Sequence, residues 1–294
     1  MPAGAELREL VQRELSVVVD PRVKALAAAI AARHGGSSRA VLFYGSCLRE
    51  QQLDGLMLDF YLIVADYRSA YAKRWLATAN RLIPPNVFYF EQGGLVSKYA
   101  VLSEADFAHE CSPAAWTVST AARFAQPSRL VWSADARGAE AVVETVSNAA
   151  PTLLGWTRPL DPTADTLSLW KRAFALTFAA ELRAERSDRS AGIVDSDRDR
   201  YERFGRAALE RAPPERTPSE AERWWRRMQA HGKRYSVARL AKASLTFAGG
   251  ADYIAWKINR HAGTQIALKP WQRRHPLLAG LSLLPRLLKS GAVR

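Results

Sequence analysis

Apolar positions along the first 150 residues change their period repeatedly, and each change predicts a different element. Residues 6–19 and 23–34 repeat at helical spacing, and Asp20-Pro21 marks the break between them. Gly35-Gly36-Ser37-Ser38 is a stop, after which AVLFY at 40–44 and MLDFYLIVA at 57–65 have the length and composition of buried strands. Residues 69–82 are helical up to Pro84-Pro85, and residues 86–90 and 95–102 flank EQGG as a hairpin. A helical stretch to Arg123, a short strand RLVW and a helix over 136–148 complete this part. Past Pro151 the strand signals stop, and residues 163–186, 198–211, 219–230, 237–247 and 252–260 fit helices. The breaks fall at the charged stretch 187–197, the linker 213–218 and Gly249-Gly250. No internal repeat is present. The pattern predicts an α/β fold: a mixed-sheet domain over 1–150, an all-helical domain over 151–262 and a basic amphipathic segment over 263–294.

Charge sharpens this division. The chain of 294 residues carries a formal net charge of +13, yet residues 223–294 hold fifteen of the Lys and Arg and a single acid, Asp252. The basic character therefore belongs to one module, and a block of this kind attracts phosphate, in nucleic acid or in an anionic bilayer. Leu277, Leu278, Leu281, Leu284, Leu287 and Leu288 recur near one helical face, beside Arg273, Arg274, Arg286 and Lys289. That combination fits an interfacial membrane binder, and Arg273, Arg274, Leu284, Arg286 and Lys289 are its expected lipid contacts. The alternative is a terminal helix docked on its own domain. No apolar run approaches the roughly 20 residues of a bilayer-spanning helix. The N-terminus lacks a secretory signal's apolar core, and two cysteines, Cys47 and Cys111, fit a reducing compartment. The expected location is cytoplasmic, peripheral on the inner face of the cell membrane. The pattern fixes no oligomeric state.

One residue breaks the apolar pattern in a telling place. Asp59 sits inside the strand sequence LMLDFYLIVA, and a carboxylate buried there needs a donor, a cation or a metal opposite it. Upstream, the first strand ends in Gly45-Ser46. Glycine lets backbone approach a triphosphate closely, and its neighbour offers a hydroxyl and an amide. A strand ending in Gly-Ser followed by acids on a second strand is similar to the skeleton of a nucleotidyltransferase site. The usual pair of acids two residues apart is missing, because Met57 and Tyr61 flank Asp59 at that spacing. No histidine has ligand spacing, and Cys47 has no catalytic histidine motif beside it.

A longer run of motifs resembles the mitochondrial-type CDP-diacylglycerol synthase family, the translocator assembly and maintenance family, which has bacterial members. The resemblance is carried by Tyr44-Gly45-Ser46, a glutamine at 51 or 52, Leu58-Asp59-Phe60, and Asp66 at the strand's end. It continues through Lys98-Tyr99-Ala100-Val101, Asp106-Phe107, Trp116, Ala121-Ala122-Arg123 and Gln126-Pro127, in order from Val41 to Arg129. Ala100 and Ala122 stand where the family has glycines. The resemblance implies a phosphatidate cytidylyltransferase: CTP and phosphatidic acid give CDP-diacylglycerol and pyrophosphate, with Mg²⁺ as cofactor. It also implies roles: Asp59 and Lys98 catalytic, Tyr44, Gly45, Ser46 and Arg123 on the nucleotide, Asp59 and Asp66 on the metal. Each role has a structural counterpart. Asp66 is a metal ligand or a turn residue, Lys98 faces a phosphate or solvent, and Arg123 holds a phosphate or a salt bridge. Glu91 is a third acid or an exposed hairpin residue. The partners expected are CTP and phosphatidic acid in an anionic membrane, without nucleic acid, since no RNA-recognition motif is visible. The competing readings are a nucleotidyltransferase acting on RNA or a small nucleotide, and a non-enzymatic basic scaffold.

Overall fold

The computed structural model describes residues 4–50, 52–181, 189–211, 216–246 and 269–271. The chain begins with α1 (Ala5–Leu15) and α2 (Pro21–Ala32). Asp20 caps α2 by accepting the Arg22 N–H at 2.8 Å, and Pro21 takes the first helical position, where a missing N–H costs nothing. β1 (Ser38–Tyr44), the short α3 (Ser46–Glu50) and β2 (Met57–Val64) follow. The helix expected over 69–82 is two helices, α4 (Tyr67–Ala70) and α5 (Arg74–Leu82), because Tyr71 is extended at φ −130° and ψ 128°. β3 (Asn86–Gln92) and β4 (Leu95–Ser103) form the expected hairpin. Gly93 and Gly94 turn it at φ 59° and 76°, the left-handed pair that a two-residue hairpin turn needs. Next come α6 (Glu104–Glu110), α7 (Ser119–Phe124), β5 (Ser128–Ser133) and α8 (Ala136–Ser147).

The remainder of the described chain is helical: α9 (Ala149–Thr157), α10 (Thr166–Ala179), α11 (Arg189–Asp195), α12 (Arg198–Arg211) and α13 (Pro218–Thr246). Three features depart from the periodic pattern. Pro151, past which the strand signals stop, lies in the first turn of an unexpected helix, α9, where backbone N–H groups have no intrahelical partner to lose. The charged stretch near 190 contains α11. Finally, α13 is one helix of 29 residues where two were expected. Gly232, in the gap between the two expected helices, sits so close to the Ala180 carbonyl that a Cβ would collide with it. The glycine serves close packing and does not stop the helix.

The five strands form one mixed sheet in the order β3-β4-β2-β1-β5, with β2 and β4 parallel and the other neighbours antiparallel. This is an α/β fold with a helical second half. Side chains alternate across each strand, which sorts them between two apolar layers. Val41, Phe43, Phe60, Leu62 and Val101 face α2 and its neighbours. Leu42, Tyr61, Ile63, Ala100 and Leu102 face the other way, into the larger layer. That larger layer runs without interruption across residue 150. Leu7, Val11, Val142 and Val146 share it with Trp170, Phe174, Tyr201 and Trp225. A buried guanidinium reinforces the junction: Arg200 of α12 donates to Glu14 of α1 at 2.9 Å and stacks over Phe204 at 4.2 Å.

Candidate functional site

The register of the sheet sets out the site before any helix is considered. Tyr44 on β1 lies opposite Asp59 on β2, Asp59 lies opposite Lys98 on β4, and Lys98 lies opposite Tyr89 on β3. Cross-strand partners share a face, so these side chains form a row on the side of the sheet that the helical half covers. Asp59 is answered directly: the Lys98 ammonium is 3.1 Å from its Oδ1. The turn after β1 holds the other oxygen closely. Gly45 has φ 95°, and a Cβ built on it would stand 2.7 Å from Asp59 Oδ2. Only glycine meets both demands, the left-handed backbone and the close approach of a carboxylate. Ser46 follows directly as the first residue of α3.

Helices close the row from above. Tyr44 packs on Tyr61 and Phe124 with ring centroids 5.3 and 6.0 Å apart. Burial pushes the Tyr44 phenol well above its usual pKa, and the negative charge of Asp59 adds to the effect. Arg123 on α7 donates to the Ser119 carbonyl at 2.6 Å and to Glu181 at 3.3 Å, so the salt bridge is formed and the guanidinium stands next to Tyr44. From the far end of the chain α13 adds Arg239 and Lys242. Arg239 donates to the Pro84 carbonyl at 2.7 Å and to Ser119 Oγ at 3.4 Å. Lys242 donates to the carbonyls of Ile83 and, at 2.8 Å, Pro85. Burial, helped by the Arg239 charge, pushes the Lys242 ammonium down to about 7.

Between the sheet and α13 these groups enclose a cavity of about 210 Å³. Lys98, Arg123, Arg239 and Lys242 line it together with Tyr44 and Tyr61, and among the described residues no acid lines it. The sequence pointed to Gly45 and Asp59 through the strand pattern, and to Tyr44, Lys98 and Arg123 through the family resemblance. It did not point to Arg239 or Lys242, which look like two more cations in a basic helix. What separates them is burial: on the same helix Lys233 and Arg234 are exposed, while Lys242 is buried.

Other expected residues lie elsewhere. Asp66 is seven positions beyond Asp59, roughly 20 Å along the strand direction, and it does not share a metal with Asp59. Its carboxylate caps α4 instead, accepting the Arg68 and Ser69 amides at 2.8 and 3.0 Å and the Ser69 hydroxyl at 2.6 Å. Those bonds hold its pKa below the usual carboxylate value. Glu91 is exposed on β3 and accepts the Tyr89 hydroxyl at 2.7 Å. Asp106 accepts the Tyr67 hydroxyl at 2.5 Å, and the Trp116 ring lies tilted against His109 with centroids 4.7 Å apart. Gln52 is exposed, and Gln51 lies outside the described residues. Arg273, Arg274, Leu284, Arg286 and Lys289 also lie outside them, as do the helix expected over 252–260 and nearly all of the segment 263–294.

The donor set does not fit a Mg²⁺ ion held by the protein. Asp59 is the one carboxylate in the row, and its nearest cation is already an ammonium. Among the described residues no group of three or more His, Cys, Asp or Glu side chains could hold a metal. A divalent cation at this site would arrive on the phosphates of a nucleotide, as part of the substrate.

No protein-family model matches the chain, and no curated protein matches it. Among solved structures, it is similar to a nucleotidyltransferase-like protein from Exiguobacterium sibiricum, with 11% sequence identity over 92% of each chain and a TM-score of 0.29. A likeness at that level carries no chemistry across. The resemblance to the CDP-diacylglycerol synthase family rests on the residue pattern from Val41 to Arg129.

Proposed function

We propose that this chain is a nucleotidyltransferase and, more narrowly, a phosphatidate cytidylyltransferase that moves the cytidylyl group of CTP onto phosphatidic acid and releases pyrophosphate. The observation that carries the reading is the contact between the Gly45 turn and Asp59, which brings a strand-borne carboxylate against a glycine turn beside a cation-lined cavity. Phosphoryl transfer asks little covalent chemistry of a protein. It asks for positioning and for neutralisation of charge on the phosphates. Lys98, Arg123, Arg239 and Lys242 supply cations for that purpose, and Asp59 fixes the Lys98 ammonium at the mouth of the turn. Mg²⁺ accompanies the triphosphate as substrate.

Among the described residues no helix is long and apolar enough to cross a membrane. In this reading the basic C-terminal quarter brings the enzyme to its lipid, with several Lys and Arg each contributing about 1 kcal/mol near an anionic bilayer. A second reading has an observation of its own. The single carboxylate, already paired with Lys98, favours a nucleotide-binding module without turnover.

Pyrophosphate release from each of the four NTPs, with Mg²⁺ in the buffer and with or without phosphatidic acid in mixed micelles, separates these readings. Release that is selective for CTP and requires the lipid, with CDP-diacylglycerol appearing, supports the synthase. Release with another acceptor keeps nucleotidyl transfer and removes the lipid. Silence with every nucleotide, alongside saturable nucleotide binding, leaves the binding module.

A further inference from the structure

The cavity beneath α13 gathers like charges in a way that a fold alone does not require. Arg123 and Arg239 face the same space, and the Arg123 charge disfavours that of Arg239, while Glu181 and Asp59 support the charge on Arg123 itself. Arg239 in turn disfavours the charge on Lys242. Burial works against both α13 cations as well. Acids do stand nearby, but they are committed to the walls. Asp59 pairs with Lys98 at 3.1 Å, Glu181 accepts from Arg123, and Glu110 accepts the Thr117 hydroxyl at 2.8 Å and the Trp116 amide at 3.2 Å. Among the described residues the lining itself holds four cations and no acid. Clustered cations in a half-buried concavity are the arrangement that an anionic ligand stabilises.

Two further observations narrow the ligand. At about 210 Å³ the space is smaller than the roughly 300 Å³ at which pockets begin to enclose a drug-sized molecule. It suits the phosphate end of a nucleotide, with base and sugar outside. In addition, the position opposite Asp59, where a metal-dependent site would gather carboxylates, holds the Lys98 ammonium.

We infer that this cavity is a polyphosphate site that works through side-chain cations, two of them contributed by α13, and that it binds polyphosphate without a divalent metal. The inference rests on the reading of this pocket as a nucleotide site and assigns its phosphate subsite to Lys98, Arg123, Arg239 and Lys242. The long helix is then part of the site. It reaches back to place two cations over the sheet, as the ties from Arg239 and Lys242 to the Ile83–Pro85 carbonyls, 155 to 159 positions earlier, show.

The test uses the full-length chain, with inorganic pyrophosphate and tripolyphosphate as probes, followed by titration calorimetry and by thermal shift. Titrations are run in EDTA and again with Mg²⁺. Saturable binding in EDTA, at least as tight as with Mg²⁺ and raising the melting temperature, is the expected result. Arg239→Gln and Lys242→Gln should each weaken it roughly tenfold or more, whereas Lys233→Gln, on the exposed side of the same helix, should leave it unchanged. Arg239→Lys and Lys242→Arg should restore part of the affinity, which separates loss of charge from loss of fold. Binding that appears only with Mg²⁺ would overturn the inference, and so would a Lys233→Gln effect equal to that of the two cavity variants. Turnover is scored independently. If cytidylyl transfer fails while pyrophosphate binds in EDTA, the transferase reading falls and this one stands; if transfer succeeds while the α13 variants bind normally, the reverse holds.

Discussion

Asp59 and Gly45 constrain one another, and that mutual constraint was partly visible in the residue order. An aspartate in an apolar strand needs a partner, and a Gly-Ser step at the end of the neighbouring strand was the natural place to seek one. The sequence did not show that the partner is a lysine across the parallel strand, because strand order is a long-range property. A Cβ at position 45 would stand 2.7 Å from Asp59 Oδ2 on a backbone at φ 95°, so Gly45→Ala should destabilise the fold by about 1–2 kcal/mol. Any shift of the carboxylate should cost activity as well, about tenfold or more; denaturant unfolding beside a turnover assay checks both. Lys242 yields a prediction in pH. Its folded pKa is lowered from 10.5 to about 7 by burial and by Arg239, so between those values the unfolded chain holds the extra proton. Stability should then rise with pH from about 7 upward. Lys242→Met should remove that rise, which melting curves at pH 7, 8 and 9 for both proteins would reveal.

Among the elements, the strands were easier to read than the short helices: α3 and α11 were not expected, and α6 and α7 read as a single stretch. β1, β2 and the β3-β4 hairpin follow from period and turn chemistry alone. α13 does not, because a glycine beside His231 looks like a stop when its packing partner is unknown. In the fold Gly232 lets the helix lie against the Ala180 carbonyl at the end of α10. Gly232→Ala should therefore push α13 outward, at a cost of about 1–3 kcal/mol. Arg239 and Lys242 would move with it, so the variant should lose pyrophosphate affinity even where it remains folded, and calorimetry below its melting range measures that loss. The division of 69–82 into α4 and α5 was equally hidden. Nothing local to Tyr71 marks the extended residue that separates them, and the Asp66 cap belongs to the first of the two helices.

For the molecule as a whole, the change from alternating to purely helical periodicity near residue 150 is real at the level of elements. It does not separate two cores. Trp170, Phe174, Tyr201 and Trp225 share the apolar layer of Leu7, Leu42 and Ile63, and Arg200 ties α12 to α1 through Glu14. Which helix covers which face of a sheet depends on contacts as far apart as the 186 positions between Glu14 and Arg200, and no periodicity records it. The described chain should consequently unfold in one cooperative transition. Coincident denaturation curves by far-ultraviolet circular dichroism and by tryptophan fluorescence are the expected outcome, and two resolved transitions would show that the halves fold separately.

The central claim concerns nucleotidyl transfer at the Asp59 row, and one comparison tests it most directly. Wild-type protein and Asp59→Asn are given labelled CTP, Mg²⁺ and phosphatidic acid in mixed micelles, and CDP-diacylglycerol and pyrophosphate are measured alongside the melting temperature of each. The account predicts that the wild type forms both products in equal amounts. It predicts that the variant forms neither while losing less than about 1 kcal/mol of stability, since the pair it breaks is partly exposed. A variant whose activity merely tracks its folded fraction would contradict the account and make Asp59 a structural residue.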